Sequence, residues 1–171
     1  IKDLILFCPA PKFTSVIIKF LLNMVMSYKG KFTPKNPSKY KGNPTNIIYR
    51  SLWERKLMSY LDKHSDVILW SSEEFCIAYR SPIDGKVHRY FPDFWVKKKN
   101  RDGKINIAVL EVKPKAQCKP PLMELRKKHP RRFINQVKTY GINEAKWRAA
   151  DSFCKDRNWD FKLITEDNLG V

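Results

Sequence analysis

The chain has 171 residues, 43% hydrophobic and 13% aromatic, enough for one globular domain with a real core and too apolar for a disordered one. Its 34 Lys and Arg outnumber 17 Asp and Glu, and the net charge of +17 points to a polyanionic partner, nucleic acid before membrane. Cys8, Cys76, Cys118 and Cys154 are far apart and His64, His88 and His129 lack metal-ligand spacing, which argues against a zinc site or disulfide framework and fits a reducing cytosol.

In chain order, residues 1–25 hold two apolar runs interrupted by Pro9, Pro11, Lys12 and Lys19. Neither reaches the roughly eighteen apolar residues of a membrane span, and no small-residue cleavage site follows. Met26-Ser27-Tyr28-Lys29 looks like a start, so 1–25 reads as a translated upstream extension, with a membrane-associating helix as the alternative. Residues 26–45 form a basic arm, with Lys29, Lys31, Lys35, Lys39 and Lys41, no acid, and Tyr28, Phe32 and Tyr40 in between. Pro34, Pro37 and Pro44 bar a helix there, leaving an arm along a DNA backbone or a solvated linker.

Thr45 or Asn46 is expected to cap a helix to about His64, with Tyr49, Trp53, Leu57 and Tyr60 on its core face. Glu54 lies at the edge of that face. A capping box with Ser51 is its plainest role, although Ile47 and Ile48 suggest an earlier helix start. Strands follow at 67–70 and 75–79, and Ile83-Asp84-Gly85-Lys86 turns the second into a strand at 87–91. Glu73 and Glu74 sit in the connection between strands, either structural or at the fringe of a site. His88 is either a support for Asp93 or a solvent-facing strand residue.

The next hairpin carries the densest chemistry. Asp93 opens the run Asp93-Phe94-Trp95-Val96, and Glu111 closes the apolar run 105–110. Asp102-Gly103 marks the turn, and a three-residue loop over 101–103 pairs Asn100 with Lys104. Counted back along both strands, that register sets Asp93 opposite Glu111, and strand alternation puts Lys113 on the face of Glu111. Two carboxylates with room for water suit Mg²⁺, with Lys113 placed to orient the attacking water or neutralise developing charge. The plainer reading is two charged strand ends joined by a surface salt bridge.

Beyond Pro114, Lys115, Lys119, Arg126, Lys127, Lys128, Arg131 and Arg132 are balanced by Glu124 alone, so 115–132 is either a DNA-contacting segment or a solvated loop. A helix begins at Arg131 with Phe133, Val137 and Tyr140 inward, and Gly141 is expected to break it. A second helix spans 143–157 on a stripe of Ile142, Ala145, Ala149 and Phe153, and a strand at 159–164 precedes a short polar tail. Helix, hairpin-joined strands, two helices and a strand predict an α/β fold, a mixed central β-sheet flanked by α-helices.

Pro92-Asp93 followed by Glu111-Val112-Lys113 resembles the Pro-Asp…(Asp/Glu)-x-Lys signature of the restriction-endonuclease-like nuclease superfamily. Ser51-Leu52-Trp53-Glu54-Arg55, Val67-Ile68-Leu69-Trp70, Tyr90-Phe91-Pro92-Asp93-Phe94 and Leu110-Glu111-Val112-Lys113-Pro114 follow the order of TnsA-like transposon endonucleases. Tyr28-Lys29-Gly30-Lys31, Pro44-Thr45-Asn46-Ile47-Ile48-Tyr49-Arg50 and Gly141-Ile142-Asn143-Glu144-Ala145-Lys146-Trp147 resemble the head completion nucleases of T4-like tailed phages. The resemblance implies a restriction-endonuclease-like nuclease domain over 46–171. It implies a Mg²⁺-dependent DNA endonuclease, with Mn²⁺ as substitute, acting in phage head completion after DNA packaging.

The same resemblance would assign Asp93, Glu111 and the backbone carbonyl of Val112 to the metal, Lys113 to the water, and Glu54 to the site as a third acid. Gln136 and Tyr140 resemble the Gln-x-x-x-Tyr motif of RecB-like nucleases beside the metal, with core packing as the alternative for Tyr140. The implied partners are DNA and portal or other head-completion proteins, with no membrane and no small-molecule cofactor, in the host cytoplasm during assembly or at the virion head and neck. Two other functions stay open: a basic DNA-binding or portal-docking head protein with a vestigial site, and a transposition or junction-resolving endonuclease.

Overall fold

The computed structural model describes residues 28–169, and the leader 1–25 lies outside them. The elements are β1 (Gly30–Phe32), β2 (Ile47–Tyr49), α1 (Leu52–Lys63), β3 (Val67–Ser71), β4 (Ile77–Arg80), β5 (Val87–Tyr90) and β6 (Phe94–Lys99). They continue with β7 (Ile105–Val112), α2 (Glu124–Lys128), α3 (Pro130–Lys155), β8 (Asp160–Ile164) and α4 (Glu166–Leu169). The central sheet has the order β3-β6-β7-β8, antiparallel except for the parallel β7–β8 pair. Strands β1–β2 and β4–β5 form separate two-stranded sheets. The architecture is the mixed α/β arrangement that the order of elements predicts.

Alternation along β6 and β7 builds a core on each side of the sheet. Phe94, Val96, Ala108, Leu110 and Val112 pack with Leu57, Met58 and Leu61 of α1, whereas Trp95 and Val109 pack with Cys154 of α3. A strand covered on both faces reads as a continuous apolar run, which is why 105–110 shows little polar alternation. The hairpin turn matches its sequence. Lys99 pairs with Ile105, the Asn100 N–H donates to the Lys104 carbonyl at 2.8 Å, and Gly103 takes φ +77°.

Several local expectations are corrected. The helix expected from Thr45 or Asn46 begins at Leu52. Buried Ile47 and Tyr49 flank exposed Ile48, a period of two, and β2 pairs with β1. The buried stripe of α1 is Leu57, Met58, Leu61 and Asp62, while Tyr60 is exposed and Trp53 only partly buried. The basic arm is not a free solvated linker, because it is tied to the domain. Asp62 accepts the backbone N–H groups of Lys35 at 2.8 Å and Asn36 at 3.0 Å, and Tyr40 packs edge-on against Trp70 with centroids 4.8 Å apart.

Gly141 does not end a helix, since α3 runs unbroken from Pro130 to Lys155. A helix-interior glycine costs only about 1 kcal/mol, and here Pro82 Cγ lies 3.7 Å from where a Cβ would stand. The buried residues of α3 are Asn143, Ala150 and Cys154, with Ala149 and Phe153 partly buried, so the expected stripe is turned by about one residue. Val137, expected inward, is exposed. No helix among the described residues is long and apolar enough to cross a membrane.

Candidate active site

Phe94 pairs with Leu110, so the next step of the ladder sets Asp93 opposite Glu111 at the mouth of the β6–β7 hairpin. Asp93 Oδ2 accepts the Val112 N–H at 2.7 Å. Glu111 is 4% exposed; its Oε1 meets Lys113 Nζ at 3.0 Å and its Oε2 accepts the Tyr90 hydroxyl at 2.5 Å. Asp93, Glu111 and Lys113 thus share one patch, and Tyr90 joins it from the end of β5. Sequence reasoning missed Tyr90. The available signal was alternation, because Tyr90 shares a strand face with His88 and lies closer to Asp93 in the chain. His88 itself bonds Asp84 at 2.8 Å on the exposed hairpin, so it gives Asp93 no support.

Electrostatics follow from this enclosure. Burial, and then the charge of Glu111, pushes Asp93 up to about 7 against the pull of Lys113 and the Val112 N–H. Burial alone would lower Lys113, but the carboxylates of Glu111 and Asp93 outweigh it and raise its pKa, keeping the ammonium charged. Burial and the neighbouring Glu111 charge push the Tyr90 phenol far up, so it remains a hydrogen-bond donor. Two mutually repelling buried carboxylates are relieved by a divalent cation, and hard oxygen donors suit Mg²⁺ or Mn²⁺. Among the described residues no group of three or more His, Cys, Asp or Glu side chains forms a metal cage. The donor set still fits Mg²⁺, which keeps several waters and takes one or two carboxylates.

The remaining candidates are placed as follows. Ser51 Oγ accepts the Glu54 N–H at 3.1 Å, and Glu54 accepts the Ser51 hydroxyl at 2.9 Å and the Arg50 N–H at 2.7 Å. Ser51 and Glu54 therefore close the start of α1 in a variant of the capping box, with Glu54 taking the N–H one residue before the N-cap. Its charge also acts on Asp93 and Lys113. Arg50 grips Glu73 through bonds of 3.0 and 2.8 Å, and Glu74 accepts the Tyr40 hydroxyl at 3.0 Å, so both acids brace the β3–β4 connection. Gln136 and Tyr140 are half-buried on α3, where Tyr140 meets Trp147 edge-on at 6.4 Å. Lys115 is tied to α4 by its N–H on Glu166 at 2.8 Å and its ammonium on Asp167. Lys119, Arg126, Lys127, Lys128, Arg131 and Arg132 are exposed.

Residues 64–166 match the family described as the TnsA-like endonuclease N-terminal domain. The matched span holds Asp93, Glu111, Lys113, Gln136 and Tyr140, while Glu54 precedes it. The chain is also 40% identical over 146 residues to the head completion nuclease of Enterobacteria phage T4, covering 84% of this chain and 95% of that protein. With three-fifths of its length inside the family's domain and so similar a relative, the chain belongs to the TnsA-like endonuclease family.

Proposed function

We propose that this protein is a Mg²⁺-dependent DNA endonuclease of restriction-endonuclease-like fold that acts in phage head completion. The observation that carries the chemistry is the enclosure of Asp93 and Glu111 on one patch, with Lys113 3.0 Å from Glu111. Asp93, Glu111 and the backbone carbonyl of Val112 would hold the metal, with Mn²⁺ as substitute and Glu54 as a further acid from α1. When bound, the ion supplies Lewis-acid stabilisation of phosphoryl oxygens and a more acidic attacking water. Lys113 orients that water and stabilises the charge that develops on the phosphoryl group. The Val112 N–H fixes the Asp93 carboxylate, so both acids are presented by one rigid hairpin. Gln136 and Tyr140 are auxiliary groups on α3.

The exposed cations Lys119, Arg126, Lys127, Lys128, Arg131 and Arg132 follow β7 away from the acids and contact the DNA backbone, with Lys115 at their root. The name of the T4 relative supports the stage, head completion. The protein would act there in the host cytoplasm during assembly or at the virion head and neck, with portal or other head-completion proteins as further partners. Supercoiled plasmid and linear duplex incubated with Mg²⁺, Mn²⁺ or EDTA test the activity. Cleavage is expected with either ion and not in EDTA. Duplex binding without cleavage in any ion would favour a basic head protein with a vestigial site. Neutralising Arg126, Lys127 and Lys128 together should flatten the slope of log K against log salt by about 0.9 per lost contact.

A further inference from the structure

We infer that Tyr90 is a positioning residue of the reaction, its hydroxyl holding the Glu111 carboxylate in its metal-facing orientation while Lys146 of α3 holds the Tyr90 ring; this deepens the metal-site reading above and rests on it. A glutamate's last torsion is broad and nearly two-fold, so its rotamer alone does not orient the carboxylate plane. Hydrogen bonds must do so. Lys113 pins Oε1 at 3.0 Å and Tyr90 pins Oε2 at 2.5 Å, which leaves the plane of Glu111 no free rotation.

Tyr90 is itself fixed from several directions. It is 3% exposed and packs with Ile77 of β4 and Ala150 of α3. The Lys146 ammonium lies 5.5 Å from the centroid of the Tyr90 ring and 5.7 Å from that of Tyr79, within cation–π reach of both. The bracket thus joins β4, β5 and α3 to an acid of β7. Its chemistry suits the task. A phenol gives one hydrogen bond without a charge, so it orients the carboxylate without competing with a divalent cation as a second ammonium would. Groups that hydrogen-bond a metal ligand from behind commonly matter by 10–100-fold in metal affinity or activity, about the size expected here.

The rival is a buried tyrosine whose hydroxyl merely needs an acceptor, which would affect stability and leave metal binding alone. Calorimetric titration of the full chain with Mn²⁺ separates the two, together with single-turnover cleavage at saturating DNA and duplex binding in EDTA. Tyr90→Phe should weaken Mn²⁺ binding about tenfold and slow the single-turnover step, with duplex affinity in EDTA unchanged. Lys146→Met keeps the hydroxyl and loosens the ring, and should weaken Mn²⁺ binding about threefold, a smaller share of the same effect. Asp93→Asn serves as the metal-site control. A parent that binds no Mn²⁺, or Asp93→Asn binding as tightly as the parent, removes the metal site and the inference with it. If the control loses Mn²⁺ while Tyr90→Phe binds within about twofold of the parent, the metal site stands and the positioning role is overturned. Should Tyr90→Phe not fold, parent-like Mn²⁺ affinity in Lys146→Met overturns it instead.

Discussion

The β4–β5 and β6–β7 hairpins are close in design and differ in how far they are enclosed. Each closes at an Asp-Gly pair, with Gly85 at φ +68° and Gly103 at φ +77°. The first is its own two-stranded sheet, buried only at Ile77 and Tyr90 and with Val87 64% exposed, whereas the second forms the middle of the four-stranded sheet and buries Phe94, Trp95, Val96 and Val109. Their aspartates diverge accordingly. The hydrogen bond from His88, with that from the Lys86 N–H, holds exposed Asp84 below the usual carboxylate range, while burial and Glu111 push Asp93 up to about 7. Turn chemistry places the reversal, but enclosure of the open end makes an acid chemically distinctive.

The sharpest break of this contrast is catalytic. Asp93→Asn and Lys113→Ala should each lower plasmid cleavage by orders of magnitude while staying folded by circular dichroism and binding duplex in EDTA, because the transition state is stabilised mainly by electrostatics. Asp84→Asn should cleave like the parent. Equal loss in all three would erase the distinction between the hairpins.

Next in size is packing. Phe94→Ala should cost about 3–5 kcal/mol in urea unfolding, since it empties a fully buried aromatic site. Val87→Ala on the exposed hairpin should stay within about 0.5 kcal/mol. Comparable losses would mean that β4–β5 belongs to the same cooperative core.

The pH dependence of stability in EDTA discriminates the two aspartates more gently. The folded value of Asp93 stands above the 3.8 of a free carboxyl, so between 3.8 and about 7 the native state binds more protons than the unfolded chain. Its contribution is fully present below the unfolded value and is lost as pH rises through about 7. Melting temperature should therefore fall over that window in the parent more steeply than in Asp93→Asn, and Mg²⁺ should restore it at the upper end. Identical profiles would place the charge conflict elsewhere.

The smallest effect concerns the turns. Gly85→Ala and Gly103→Ala should cost about 1–2 kcal/mol each, through positive φ alone, since neither meets a backbone clash. Cleavage should persist in both. Loss of cleavage in Gly103→Ala at retained folding would show that the Asp93–Glu111 register leans on its turn more than on the apolar ladder.

The acid patch was legible because its determinants are local. Turn length, strand alternation and the Asp-Gly pair lie within one hairpin, so the facing of Asp93 and Glu111 and the placing of Lys113 beside Glu111 could be counted from residue order. Other features were not local. Ile47 and Tyr49 became a strand because Gly30–Phe32, remote in the chain, offered them a partner. Gly141 stayed helical because α3 is held by the sheet it covers, and tertiary packing outweighs a propensity of about 1 kcal/mol. The bond between Tyr90 and Glu111 joins residues 21 apart in neighbouring hairpins, so alternation could put Tyr90 on a face but could not name its partner. The sequence by itself determined which side chains each strand presents and to which face. Only the tertiary structure decided which of those faces are closed off from water, and so how far Asp93 and Glu111 repel each other, because desolvation depends on what packs above a residue and not on what precedes it in the chain.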